Sequence, residues 1–201
     1  MSITTYAELA TALENWLDRT DLSARIPEFI SLAEASINRK IRLMQMETTI
    51  TGSVSTDTIS FPADCLSVSK VQINASNYYI LEQMSKDILI KKYPYSAQGQ
   101  PYAFCVNGNS IQIRPIPDST YTYELSYYQQ IPDLATNSTN WLLSLYPDIY
   151  LYGSLLQAAP YLKDAEETTI WASFYTAAIN EAKIADKTNR WGGGSLAMVA
   201  L

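Results

Sequence analysis

The chain has 201 residues, a net charge of −6, no histidine and two cysteines. The missing histidine excludes Ser-His and Cys-His nucleophilic catalysis and His-ligated metal sites. Two cysteines give no disulfide framework, and Cys65 and Cys105, both in strand-like apolar contexts, are expected as buried free thiols, with a disulfide between them as the alternative. Charge is spread evenly: 5 basic against 7 acidic residues in 1–47, 5 against 7 in 48–140 and 4 against 6 in 141–201. No segment is a basic arm, which argues against affinity-driven nucleic-acid binding. The length suits one domain, or one domain with an insertion.

The period of the apolar residues reads helical, then β, then helical. Tyr6, Leu9, Leu13, Trp16 and Leu17 recur at helical spacing and predict a helix over Tyr6–Leu17, with Thr4 or Thr5 as N-cap. A second helix is expected over Ile26–Glu47, with Pro27 in its first turn and a stripe from Ile26 through Ile41 to Met44. Arg39, Lys40 and Arg42 cluster near its end; they fit a solvated face favoured by the helix dipole, or an acidic partner surface.

From Thr48 the period becomes two. Strands are expected at Thr48–Val54, Thr58–Phe61, Ser67–Ile73, Tyr78–Gln83, Tyr102–Val106, Ser110–Arg114 and Thr120–Gln130. A short helix at Ser85–Tyr93 interrupts them, and Asn107-Gly108 predicts a type I′ hairpin turn. Tyr121, Tyr123, Leu125 and Tyr127 share one face of the last strand, so an antiparallel sheet with one buried face is expected. The tyrosines also admit a sugar-binding platform, although sheet packing explains the alternation as well.

The stretch Asn140–Asp164, NWLLSLYPDIYLYGSLLQAAPYLKD, is nearly free of charge. Pro147 and Asp148 cut it too short for a membrane span, and Met1–Leu17, with Glu8 and Glu14, does not read as a signal peptide. A helix starting at Pro147 is apolar on nearly all sides and so must be buried on nearly all sides, by its own chain or a partner. Asp164-Ala-Glu-Glu167 resembles a capping box. It opens a last helix, to about Asn189, with Ile170, Trp171, Phe174, Tyr175, Ala178 and Ala182 expected inward. After Trp191 come three glycines and LAMVAL, read as a hinge and an apolar end that is either disordered or an arm for a partner groove. No Walker, GxGxxG, CxxC or GxSxG pattern occurs. Asp64, Asp87, Asp118 and Asp133 show no spacing that suggests a catalytic pair, and no catalytic, metal-binding or cofactor-binding residue is expected.

NWLLSLYPDIYLYGSLLQAAPYLKDAEETTIWASFYTAAI resembles the C-terminal helical signature of the head-to-tail adaptor, or connector, proteins of tailed double-stranded DNA phages. YAELATALENWLDRTDLSARIPEFISLAEASINRKIR, FPADCLSVSKVQI and GNSIQIRPIPDSTYTYELSYYQQIPDL resemble the same family, in order, over about residues 3–190. The resemblance implies an α+β fold: an α-helical bundle of two N-terminal and two to three C-terminal helices with an inserted antiparallel β-sheet region. The expected parts are 1–47, the insertion 48–135, 136–190 and a flexible tail 191–201.

It further implies a non-enzymatic virion protein forming a ring, usually dodecameric, in the neck beneath the portal and assembled in the host cytoplasm. Its partners would be the portal protein, a tail or nozzle protein and its own copies, with genomic DNA passing through the lumen without sequence-specific binding and no membrane involved. Tyr150, Leu151, Tyr152 and Leu155 are the candidate subunit-interface residues. Trp191, Leu196, Met198, Val199 and Leu201 are the candidate portal-docking residues. The alternative reading is a carbohydrate- or receptor-binding module of a phage tail that uses the tyrosine-rich sheet.

Overall fold

The computed structural model describes residues 3–19, 21–74, 78–94 and 97–191. The chain forms two units, Met1–Met44 with Ile131–Leu201, and Gln45–Gln130. Helix α1 spans Tyr6–Leu17, the bounds its spacing predicts. Its N-cap is Thr5: the Thr5 hydroxyl accepts from the Glu8 N–H (3.3 Å) and the Glu8 carboxylate accepts from the Thr5 N–H (3.1 Å). This reciprocal pair satisfies two of the donors that a helix start leaves open.

Helix α2 spans Ile26–Lys40, one and a half to two turns short of the expected end at Glu47. Ile41 is extended (φ −115°, ψ 146°), and Ile41 and Leu43 are buried while Met44 is exposed. Burial therefore switches from helical spacing to alternation at Ile41. Arg42 fixes the exit, its guanidinium donating to the Asn38 and Ile41 carbonyls (2.6 and 2.5 Å). A short 3₁₀ turn, Met44–Met46, follows.

The second unit holds two four-stranded sheets where one antiparallel sheet was expected. β1 (Glu47–Val54), β3 (Cys65–Asn74), β4 (Tyr78–Ile80) and β8 (Tyr121–Gln129) form the first, in the order β1-β8-β3-β4, antiparallel throughout. β2 (Thr58–Ser60), β5 (Glu82–Gln83), β6 (Ala103–Asn107) and β7 (Ser110–Arg114) form the second, in the order β2-β7-β6-β5, with β5 parallel to β6. The expected strand Tyr78–Gln83 is split because the chain changes sheets at Leu81. The Leu81 N–H donates to Val71 O in the first sheet (2.8 Å), and the Glu82 N–H donates to Tyr102 O beside β6 (2.9 Å). One apolar core serves both sheets, including Val71, Ile73 and Leu125 from the first and Ile59, Phe104 and Ile113 from the second. α3 (Lys86–Lys92) covers β6 through Leu89 against Ala103 and Cys105.

The hairpin between β6 and β7 pairs Asn107 with Ser110, so Gly108 and Asn109 are its central residues. Gly108 has φ 59° and Asn109 has no positive φ. Glycine at the first central position alone is the type II′ pattern, and it replaces the type I′ turn expected from Asn107-Gly108.

Four more helices follow: α4 (Leu134–Asn137), α5 (Trp141–Leu145), α6 (Pro147–Leu162) and α7 (Ala165–Trp191). Asp164 caps α7 by accepting from the Glu166 and Glu167 N–H groups (3.1 and 3.0 Å). α6 lies against α1, α2, α5 and α7. Gly153 makes the closest approach: a Cβ there would sit 3.1 Å from the Tyr175 ring and 3.5 Å from Ala33 Cβ. Buried side chains hold the irregular segment before α6. Asn38 accepts from the Ile131 N–H (3.1 Å), Glu34 from the Leu134 N–H (2.8 Å) and Asn140 from the Leu143 N–H (2.8 Å). Tyr150 receives a hydrogen bond from the Asn140 amide (2.7 Å), and burial pushes its phenol well above its ordinary pKa.

Two outcomes follow from this packing. Gly153→Ala gains up to about 1 kcal/mol of helix propensity. Overpacking against Tyr175, whose hydroxyl lies 3.2 Å from that of Ser36, costs about 1–3 kcal/mol. A net loss of about 1 kcal/mol in unfolding free energy is expected, read as a lower denaturant midpoint at unchanged slope. Glu34 gives the second. Burial raises its carboxyl pKa, the Leu134 hydrogen bond opposes this, and the Asp133 charge adds to it. The folded chain therefore holds this proton more tightly than the unfolded chain. Stability should fall as pH rises from the ordinary glutamate range through the raised value. Glu34→Gln keeps the acceptor and removes the titration, so the wild-type-minus-variant difference in unfolding free energy should decline across that window.

Candidate interaction surfaces

Two of the four carboxylates noted in the sequence are engaged locally. Asp64 accepts from Tyr127 Oη (3.1 Å) and Gln129 Nε2 (2.6 Å), and Asp118 accepts from Tyr121 Oη (2.7 Å). Asp133 is the N-cap residue of α4, and Asp87 lies in the first turn of α3. Among the described residues no group of three or more Cys, Asp or Glu could hold a metal, and no described helix is long and apolar enough to cross a membrane. Cys65 and Cys105 form no disulfide; Cys105 is buried, which pushes its thiol pKa up, and Cys65 is half-buried. In β8, Tyr127 is buried in the sheet core and Tyr121 and Tyr123 pack against it, so these rings form no open platform.

Of the four residues singled out on α6, Tyr150, Leu151 and Leu155 are buried within their own unit. Tyr152 is half-exposed and belongs to a group of aromatic rings on one flank of the helices. Trp16 of α1 meets Trp171 of α7 edge-on (centroids 5.6 Å apart), Tyr152 stacks on Trp171 (6.2 Å), and Phe174 lies 5.5 Å from Tyr152. The Trp171 indole N–H donates to Glu167 (3.4 Å). Large parts of this group face solvent: Trp16 is 51% exposed, Phe174 47% and neighbouring Ile170 48%. Ile170 and Phe174 thus point outward, not inward as expected. The buried stripe of α7 is Tyr175, Ala178, Ile179 and Ala182. At about 100° per residue, that stripe is centred roughly 90° away from Ile170, Trp171 and Phe174.

The opposite flank of α7 is basic. Lys183, Lys187 and Arg190 lie roughly 90° to the other side of the buried stripe by the same count. The end of α2 adds Arg39 and Lys40. Lys40 Nζ sits 4.4 Å from the centroid of the Tyr175 ring. Burial lowers the pKa of Lys40, and the charges of Arg39 and Lys183 lower it further, so these three cations share one place. Only Glu181 and Asp186 offset the cations of residues 39–42 and 181–190. Asp186 is already committed to the Met44 N–H (2.6 Å) and to Arg190 (2.9 Å). The even charge of the sequence conceals this patch, because its two halves lie about 140 residues apart and meet only where α2 packs beside α7.

Trp191 is the last residue of α7. Leu196, Met198, Val199 and Leu201 lie outside the described residues.

A family model described as SU10 adaptor protein matches residues 4–198, nearly the whole chain. No curated protein matches the sequence.

Proposed function

The chain belongs to the SU10 adaptor protein family, and from that premise we propose that it is a head-to-tail adaptor of a tailed double-stranded DNA phage. The observation that carries this reading is the extent of the match, which takes in both helical segments and the β unit between them. A structural phage adaptor works by contact with other virion components and has no use for a catalytic centre.

In this reading the protein sits in the virion neck, assembled in the host cytoplasm. Copies join into a ring, taken as dodecameric, whose helices bundle as its wall. The ring binds the portal protein on one side and a tail or nozzle protein on the other, and genomic DNA leaves through its lumen. Subunit contacts pass through the half-exposed Tyr152 and its aromatic neighbours. Tyr150, Leu151 and Leu155 support that surface from within. Trp191, Leu196, Met198, Val199 and Leu201 act as an apolar arm that docks on the portal.

Mixing the purified chain with the portal ring of the same phage tests the reading by native mass spectrometry. A mass increase of one adaptor per portal subunit is expected. Deleting residues 192–201 should weaken docking by more than about a hundredfold, the scale set by losing several buried apolar side chains, while circular dichroism stays unchanged. An unaltered portal mass with the full chain would reject direct docking on the portal, and unaltered docking after the deletion would reject the arm.

A further inference from the structure

We propose that the two flanks of α7 are complementary to each other, so that the basic flank of one copy seats on the aromatic, acid-edged flank of the next. The inference rests on the ring reading above and goes beyond it by assigning the surfaces. Three observations carry it. First, the flanks face roughly opposite ways about the same helix, each about 90° from the buried stripe. A surface patch and its complement on opposite sides of one subunit define a heterologous contact, the kind that builds rings. Second, the chemistry matches. One flank offers the partly exposed rings of Trp16, Trp171 and Phe174 with Glu167 at Trp171. The other offers Arg39, Lys40, Lys183 and Lys187. Cations bind both aromatic faces and carboxylates. Third, both flanks are incomplete alone. Trp16, Ile170 and Phe174 leave about half of their surface in water. The Arg39–Lys40–Lys183 group crowds like charges, and the acid beside it, Asp186, is already engaged.

A second copy fits better than a polyphosphate. Phosphates would neutralise the basic flank and leave the aromatic flank uncovered, whereas the neighbouring chain covers both. The two patches lie about 22 Å apart along α7, taking 1.5 Å per residue between their centres. Neighbours must therefore be staggered along that helix, with α7 inclined to the ring axis.

The full chain, prepared in equal parts with natural-abundance and ¹⁵N label, is assembled on the portal ring and treated with a zero-length carbodiimide. Cross-links joining Lys183 or Lys187 of one label to Glu166 or Glu167 of the other are expected. K183E/K187E should raise the concentration needed for ring assembly roughly a hundredfold, because like charges set face to face repel strongly. Adding E166K/E167K to that variant should restore assembly, which also shows that the reversal had not simply unfolded the chain. If the wild type assembles and K183E/K187E assembles at the same concentration, the flank assignment fails while the adaptor reading stands. The assignment also fails if the cross-links from Lys183 and Lys187 run only to the portal. It fails again if K183E/K187E keeps ring assembly and loses binding to a duplex oligonucleotide. A wild type that never assembles on the portal overturns both readings.

Discussion

Helix α6 must be covered on nearly every side, and the other helices of its unit are placed by that requirement. Its residues Ile149, Tyr150, Leu155, Ala158 and Ala159 are all buried. A helix with a narrow apolar stripe needs one neighbour; this one needs several. α1, α2 and α7 supply the cover, and Gly153 lets the Tyr175 ring and Ala33 come close at one level of the helix. α7 gives up one stripe to this task, which leaves two flanks that the core covers only in part. The surfaces open to partners are in that sense a by-product of how the core is closed.

Polar side chains close what the helices cannot. The segment from Ile131 to Tyr146 changes direction several times and is largely exposed, but Ile131, Leu134 and Leu143 are buried, and their unpaired backbone groups would be costly. Glu34, Asn38 and Asn140 reach its N–H groups, and Asp186 does the same for Met44 at the other exit. Glu34 is the least comfortable of them, since its carboxylate is desolvated and lies near Asp133. Its retained hydrogen bond to α4 shows what the position is for.

Much of the local structure was legible because local rules decide it. The 3–4 spacing of α1, Pro147 and Asp164 at helix starts, and the alternation in β8 all act within a few residues. The errors share a physical origin in long-range packing. Ile41 continues the helical spacing of α2 in sequence, yet its burial belongs to an extended segment with Leu43. Tyr78–Gln83 alternates like one strand, but its backbone bonds serve two sheets. Ile170 and Phe174 are apolar at helical spacing, and only the placement of α1 and α6 shows that the inner side of α7 is already full. Nothing local could have joined Arg39 and Lys40 to Lys183. The candidate surfaces were accordingly less legible than the fold, since each is assembled from elements far apart in the chain.

The change of sheets at Leu81 has a mechanical consequence. Successive residues bind different sheets, Leu81 to Val71 and Glu82 to Tyr102, with no slack residue between the two attachments. Tension applied to β4 is therefore delivered directly to β5, and shear between the sheets loads hydrogen bonds in both at once. Buried as it is in the common core, Leu81 works as a rivet between two plates: the β unit should resist sliding more stiffly than its short strands suggest, and yield as one body.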